Sequence, residues 1–136
     1  MPANIPVLYV EDDEGLAQLL KRRLKRKGYN VDIAITGEQC LEMIKHTRYS
    51  VILIDYKLPI YSGIKIIELL KKKSDSPPVI MVTGAGDERL AVDALKGGAV
   101  DYVVKDQEGI YLDILPSKIN LAIQQQQLEI DARNAQ

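Results

Sequence analysis

Short apolar runs alternate with longer segments of helical period along most of this chain. Runs near residues 5–10, 30–35, 50–55, 78–82 and 100–104 read as strands, and helical periods fall near 14–27, 37–47, 63–73, 87–96 and 116–133. Strands separated by helices make βαβ units and a mostly parallel sheet covered by helices on both faces. Val51, Ile52, Leu53 and Ile54 are continuously apolar, the pattern of a central strand buried on both sides. The expected fold class is therefore α/β.

A parallel sheet gathers the carboxyl ends of its strands at one edge. Sites in open α/β sheets form there, in the crevice where strand order reverses. Five polar residues end the apolar runs of this chain. Glu11 and Asp12 close the first, Asp55 the third, Thr83 the fourth and Lys105 the fifth. Three acids, a hydroxyl and an ammonium suit a divalent cation and a phosphoryl group. Ordinary loop chemistry accounts for any one of them, since acids often cap helices that follow strands. It does not easily account for the set.

A hard cation such as Mg²⁺ takes oxygen ligands in near-octahedral geometry and keeps several waters. Asp12 and Asp55 would each supply a carboxylate oxygen, and the backbone carbonyl of Lys57 a third. Glu11 is longer and would act through a water. Asp13 starts the turn into the first helix and reads as its cap. Carboxylates this close repel one another, and their pKa values rise unless a positive charge is near. Lys105 supplies one. Such a set suits phosphoryl transfer, in which positioning and charge stabilisation dominate. A carboxylate can itself be the nucleophile and become an acyl phosphate. Asp55 is the best candidate, because it ends the most buried strand. Thr83 would donate its hydroxyl to a phosphoryl oxygen, and Gly84, Ala85 and Gly86 would let backbone approach.

The chain has 136 residues, of which 46% are hydrophobic, enough for one domain with a real core. Eighteen basic and nineteen acidic residues leave a net charge of −1, so no global field favours nucleic acid. No stretch approaches the ~20 apolar residues of a membrane span, and Met1, Pro2, Ala3 and Asn4 do not resemble a secretory leader. Cys40 is the single cysteine; lying in a helical segment, it reads as a small buried hydrophobe. His46 is the single histidine and reads as a surface residue at a helix end. A reducing, cytoplasmic location is the expectation.

Leu16, Leu20 and Leu24 mark one buried stripe on the first helix. Lys21, Arg22, Arg23, Lys25, Arg26 and Lys27 follow, as either a solvated face or a docking surface, and Gly28 supplies the stop. Pro116 fits the first turn of a last helix. Ile119, Ile123 and Ile130 bracket the glutamine run at 124–127 at steps of four and seven, with Gln126 in the intervening slot. That resembles a coiled-coil seam with one polar layer; a helix packed on the sheet is the other reading.

With its motifs assembled, the chain resembles the receiver domain of two-component response regulators, from Ile5 to about Lys105. Val10-Glu11-Asp12-Asp13, Asp55-Tyr56-Lys57-Leu58-Pro59, Val82-Thr83-Gly84-Ala85 and Gly98-Ala99-Val100-Asp101-Tyr102-Val103-Val104-Lys105 occur in family order and at family-like spacing. The resemblance implies a flavodoxin-like, five-stranded parallel sheet of order 2-1-3-4-5. It also implies phosphorylation of Asp55 by a phosphohistidine on a sensor histidine kinase or histidine phosphotransfer protein. Mg²⁺ would be required, with Mn²⁺ as a substitute. Glu11 and Asp12 match the family's acidic pair, Thr83 and Lys105 its phosphate-sensing pair, and Tyr102 its switch aromatic. The implied protein is a signalling switch that assists its own aspartyl phosphorylation and dephosphorylation, not a turnover enzyme.

Two departures stand out. The family usually has proline directly after its lysine, with a cis peptide, whereas Asp106 follows Lys105 here. A cis bond before a non-proline residue costs roughly 3–4 kcal/mol, so a differently shaped loop is expected, with residues 107–115 delaying the last helix. The long tail is the second departure. The expected division is a receiver core at 1–115 and, at 116–136, a helix that starts a linker to an output domain, with homodimerisation through that helix. No nucleic-acid or membrane contact is expected within this segment. Of the rivals, a pseudo-receiver that acts without phosphorylation is the principal one. An aspartyl-phosphate phosphatase lacks a general-acid carboxyl beside Asp55, and a flavin domain would need a phosphate cradle where the first loop holds acids.

Overall fold

Every strand of the sheet runs in one direction, and each is returned by a helix. The structure is a computed structural model describing residues 4–73, 75–84 and 88–135. In chain order the elements are β1 (Ile5–Val10), α1 (Glu14–Lys25), β2 (Tyr29–Ala34), α2 (Gly37–His46), β3 (Val51–Asp55), α3 (Gly63–Lys71), β4 (Val79–Gly84), α4 (Glu88–Gly97), β5 (Asp101–Lys105) and α5 (Ile110–Asn134). The sheet order is β2-β1-β3-β4-β5, as the resemblance implied. Strand order reverses between β1 and β3, where Tyr9 pairs with Leu53 and Val10 with Ile54. Glu11 and Asp12, which follow β1, are thereby set beside the end of β3 at Asp55.

Side-chain alternation divides the core into two layers. Val7, Tyr9, Val51, Leu53, Ile80, Val82 and Val103 face α1 and α5, whose Leu20, Leu24, Leu112, Leu115 and Ile119 cover them. Leu8, Val10, Ile52, Ile54, Val79 and Met81 face the other way, under Cys40 of α2, Ile66, Ile67 and Leu70 of α3 and Ala94 of α4. All five residues of β3 are buried, as its uninterrupted apolar sequence demands. On α1 the buried stripe is Ala17, Leu20 and Leu24, while Leu16 is half-buried. Cys40 is fully buried, and burial pushes its thiol up to about 12.

Three of the helices, α1, α2 and α3, start on side-chain caps. Asp13 accepts the N–H of Leu16 at 3.0 Å, Thr36 that of Gln39 at 3.0 Å and Ser62 that of Lys65 at 3.3 Å. Each satisfies an orphan donor of the first turn. Asp13 is thus a cap, as its position indicated.

The last helix corrects the sequence reading. It begins at Ile110, not near residue 116, and Pro116 lies inside it. Asp106 makes the early start. Its carboxylate accepts the N–H groups of Ile110 at 2.9 Å and Tyr111 at 2.8 Å, and Gly109 turns the chain at φ 79°. Peptide bonds among the described residues are all trans. Residues 107–109 are therefore a short loop, and the helix runs through Pro116 although that residue offers no N–H to the carbonyl four residues back. The expected seam is also corrected. Ile119 is buried against the sheet and Ile123 packs on the same cluster, while Gln126 donates to the carbonyl of Ser76 at 2.9 Å. That face is taken by the domain itself. Ile114, Leu121 and Leu128, spaced by seven, are exposed on α5 instead.

Gly63 fixes the loop after β3. Its N–H donates to the carbonyl of Tyr56 at 2.9 Å, and a Cβ there would stand 2.6 Å from the backbone oxygen of Asp55. Backbone cannot yield as a flexible side chain would. Gly63→Ala is expected to destabilise the domain by about 1–3 kcal/mol, the usual cost of overpacking. A lower urea midpoint at unchanged slope is the readout, and an unchanged midpoint would contradict the close approach.

Candidate functional site

Three carboxylates meet at the carboxyl edge of the sheet. Glu11, Asp12 and Asp55 each present an oxygen within 4.8 Å of the others. Their environments differ. Glu11 and Asp55 are buried at 1% and 4% exposure, whereas Asp12 faces solvent. Asp12 also borders an open hollow of about 440 Å³, lined by Tyr56, Lys57, Leu58, Pro59 and Ser62. The cluster has one buried wall and one open mouth. Three hard oxygen donors with room for water on one side fit a divalent cation of the Mg²⁺ class.

Lys105 closes the cluster from β5. Its ammonium lies 3.0 Å from Glu11 Oε1 and 3.2 Å from Asp55 Oδ1. Burial alone would lower its pKa, but the hydrogen bond to Glu11 and the charges of Asp55 and Glu11 outweigh burial and raise it. Lys105 therefore stays charged. Glu11 receives a second donor, the Tyr9 hydroxyl, at 3.0 Å on the same oxygen. Burial pushes Glu11 up, but bonding to Asp55 and Lys105 more than offsets it, so Glu11 is held below the usual range. Asp55 goes the other way. Burial, followed by the hydrogen bond and charge of Glu11, pushes it up to about 7 in spite of Lys105. Of the two buried acids, Glu11 is the one held toward its ionised form and Asp55 the one pushed toward its protonated form.

Thr83 and Tyr102 sit on the other side of the sheet. Thr83 is buried at 1% exposure and its backbone pairs with Val104. Tyr102 is half-buried against the layer formed by α2, α3 and α4. The alternation that places Val79 and Met81 in that layer places Thr83 there too. Lys57 is exposed on the loop after β3. Ala85 and Gly86 lie outside the described residues. Of the five strand-end residues found in the sequence, Glu11, Asp12, Asp55 and Lys105 meet in the cluster, Thr83 lies on the other face of the sheet, and what sequence reasoning missed is Tyr9. Its only signal was its place two residues before Glu11, which puts both on one face of β1.

The family model for the response regulator receiver domain matches residues 7–112. The chain belongs to that family. It is 34% identical over 102 residues to the transcriptional regulatory protein ZraR of Escherichia coli K12, covering 75% of this chain and 23% of that one. It is 33% identical over 99 residues to the transcriptional regulatory protein SrrA of Staphylococcus aureus, covering 73% of this chain and 41% of that one. The chain thus spans well under half the length of either relative. Among solved structures, a response regulator receiver domain protein from Clostridium thermocellum superimposes with a TM-score of 0.82 at 29% identity, over 91% of this chain and 98% of that one. This receiver is a signalling domain of the two-component type, and none of its described helices is long and apolar enough to cross a membrane.

The raised pKa of Asp55 has a consequence for receiver stability. A carboxyl that ordinarily titrates near 3.8 but is held at about 7 in the fold keeps a proton that the unfolded chain gives up. Its contribution is full below pH ~4 and is lost as pH rises through 7. Asp55→Asn cannot ionise and escapes that loss. In metal-free buffer at pH 7.5 it is expected to be more stable than wild type by about 1–2 kcal/mol, less than the full shift implies because Glu11 moves the opposite way. The gap should close by pH 4. Thermal melts across that range decide it, and an Asn variant less stable at pH 7.5 would refute it.

Proposed function

We propose that this receiver is a phosphoacceptor switch with Asp55 as the acceptor, and that the observation carrying this reading is the contact of Lys105 with both Asp55 and Glu11. The donor is a phosphohistidine on a sensor histidine kinase or histidine phosphotransfer protein. An Asp55 oxygen attacks phosphorus, the P–N bond breaks, and the electron pair returns to the imidazole. Deprotonated Asp55 is the nucleophile, so its burial beside Glu11 must be offset by positive charge. Glu11, Asp12, Asp55 and the carbonyl of Lys57 would hold Mg²⁺, or Mn²⁺ in its place, which supplies charge neutralisation on the phosphoryl oxygens. Lys105 pairs with a phosphoryl oxygen, and the Thr83 hydroxyl donates to another.

The switch follows from differential contacts. A phosphoryl group on Asp55 draws Thr83 toward it, and Tyr102, on the same side of the sheet, takes the space released. Only contacts that differ between the two states shift their populations. The domain accelerates gain and loss of its own phosphoryl group and turns over no other substrate. The relatives' names support a transcriptional output in a longer protein. The expected division, a core to residue 115 and a linker helix from 116, meets a helix that begins at Ile110, so core and linker share α5. A cytoplasmic site follows from a phosphohistidine donor, and no nucleic acid contacts this segment.

Homodimerisation belongs to the exposed stripe of α5. Ile114, Leu121 and Leu128 are exposed at 42%, 52% and 68%, and a seven-residue repeat of apolar positions suits pairing with a second, parallel copy of the helix. Leu121→Glu with Leu128→Glu is expected to lower the dimer fraction at least tenfold in sedimentation equilibrium. Wild type that stays monomeric when phosphorylated would refute the pairing.

Incubation with acetyl phosphate and Mg²⁺ tests the acceptor. Wild type is expected to gain the mass of one phosphoryl group, and neither Asp55→Asn nor metal-free wild type should. Equal labelling of Asp55→Asn would overturn the assignment. Mg²⁺ binding without labelling, even by a phosphohistidine donor, would favour the pseudo-receiver.

A further inference from the structure

Two tyrosine hydroxyls lie buried behind the acidic cluster, and acceptor chemistry uses neither. Tyr9 is fully buried, and its hydroxyl donates to Glu11 Oε1 at 3.0 Å. The same oxygen takes the Lys105 ammonium at 3.0 Å. The other oxygen, Oε2, accepts the longer bond from the N–H of Asp13 at 3.3 Å. Glu11 is thus gripped from the core side through one oxygen.

Tyr111 is the second residue of α5 and packs in the same cluster as Tyr9. Its hydroxyl is buried without a hydrogen-bond partner. It is near enough to Lys105 and Glu11 to feel both charges, and near enough to Tyr9 to influence it. Buried hydroxyls without partners are uncommon, and a state that offers one an acceptor gains by doing so. Its backbone is fixed by Asp106, which accepts the Tyr111 N–H at 2.8 Å.

We infer that Tyr9 is a positioning residue for Glu11, and that Tyr111 is a conditional second donor, recruited to Glu11 when Lys105 turns to a phosphoryl group on Asp55. The inference rests on the roles proposed above for Asp55 and Lys105. Lys105 has one ammonium and shares it between two carboxylates. A phosphoryl group adds acceptors of higher charge on the Asp55 side. Glu11 Oε1 then loses one of its two donors while still buried. Tyr111 is the neighbouring hydroxyl with no other commitment. Recruiting it ties the first turn of α5 to the site by a bond present in one state only, a route to the tail helix separate from Thr83 and Tyr102.

The test uses the full chain and three phenylalanine variants, which delete a hydroxyl and keep the ring. Calorimetric titration measures Mg²⁺ binding, then beryllofluoride binding at saturating Mg²⁺ as a mimic of the acyl phosphate. Tyr49→Phe is the control. Its hydroxyl donates to Asp32 at 2.7 Å, far from the cluster, so its loss should lower the melting temperature and leave both affinities within twofold. Tyr9→Phe is expected to weaken Mg²⁺ about three- to tenfold. Tyr111→Phe should leave Mg²⁺ within twofold and weaken beryllofluoride about five- to tenfold, since its hydroxyl acts only in the loaded state. Wild-type Mg²⁺ affinity in Tyr9→Phe would overturn the positioning role. Full beryllofluoride affinity in Tyr111→Phe would overturn the recruitment. Wild type that binds neither probe would bring down the acceptor reading and this inference together, whereas binding by wild type with unaltered variants would bring down the inference alone.

Discussion

One ammonium holds the carboxyl edge of this sheet together. Glu11 and Asp55 are buried acids within reach of each other, and bringing two such charges out of water side by side is costly. Lys105 bonds to both, yet its charge does not cancel theirs. Glu11 is pulled down and Asp55 pushed up, so the pair resists carrying two negative charges until a second positive charge arrives. The site is built with a deficit of positive charge that a divalent cation on the Asp12 side would fill. Parallel topology makes this possible, because it sets the ends of β1, β3 and β5 at one edge without any long loop to position them.

Much of this was legible in the sequence because the relevant signals are local. The uninterrupted apolar run before Asp55 fixed the central strand. Polar residues at strand ends fixed the edge. Asp13 was readable as a cap from its place before a helix. A positive charge from Lys105 near the acids follows from parallel strands, whereas its bonding to both Glu11 and Asp55 is visible only in the structure. Tyr9 was not legible, because a tyrosine in an apolar strand is ordinarily core. Its role depends on the hydroxyl reaching a carboxylate two residues on, which only the pleat and the burial of both groups determine.

The start of α5 was misread for an equally physical reason. Pro116 is a good first-turn residue and by itself signals a start there. The competing signal was Asp106, a cap that serves two N–H groups at once from four and five residues away. Helices tolerate proline in their interior when tertiary contacts compensate. Here Leu112, Leu115 and Ile119 are buried on one side of α5, and Tyr29 donates to the carbonyl of Pro116 at 3.2 Å and to Asn120 at 2.7 Å. The apolar spacing at 119, 123 and 130 suits either a seam or a helix packed on the sheet, and the sheet takes Ile119 and Ile123. A helix that is apolar on two sides presents two such patterns, and sequence spacing does not say which one the sheet takes.

The two sides of the sheet read the same chemistry differently. Glu11, Asp55 and Lys105 end strand faces that point toward α1 and α5, whereas Thr83 and Tyr102 belong to the face under α2, α3 and α4. A change at Asp55 therefore has neighbours in both layers. In the proposed switch the response on the second side is steric, a hydroxyl drawn in and an aromatic ring following, and on the first side it is a redistribution of donors around Glu11. Asp106 strengthens this first route, because the residue directly after Lys105 is also the cap of α5. In the proposed switch, movement of Lys105 would act on the backbone that fixes the helix start, and the tail helix carries its exposed apolar stripe on the same element.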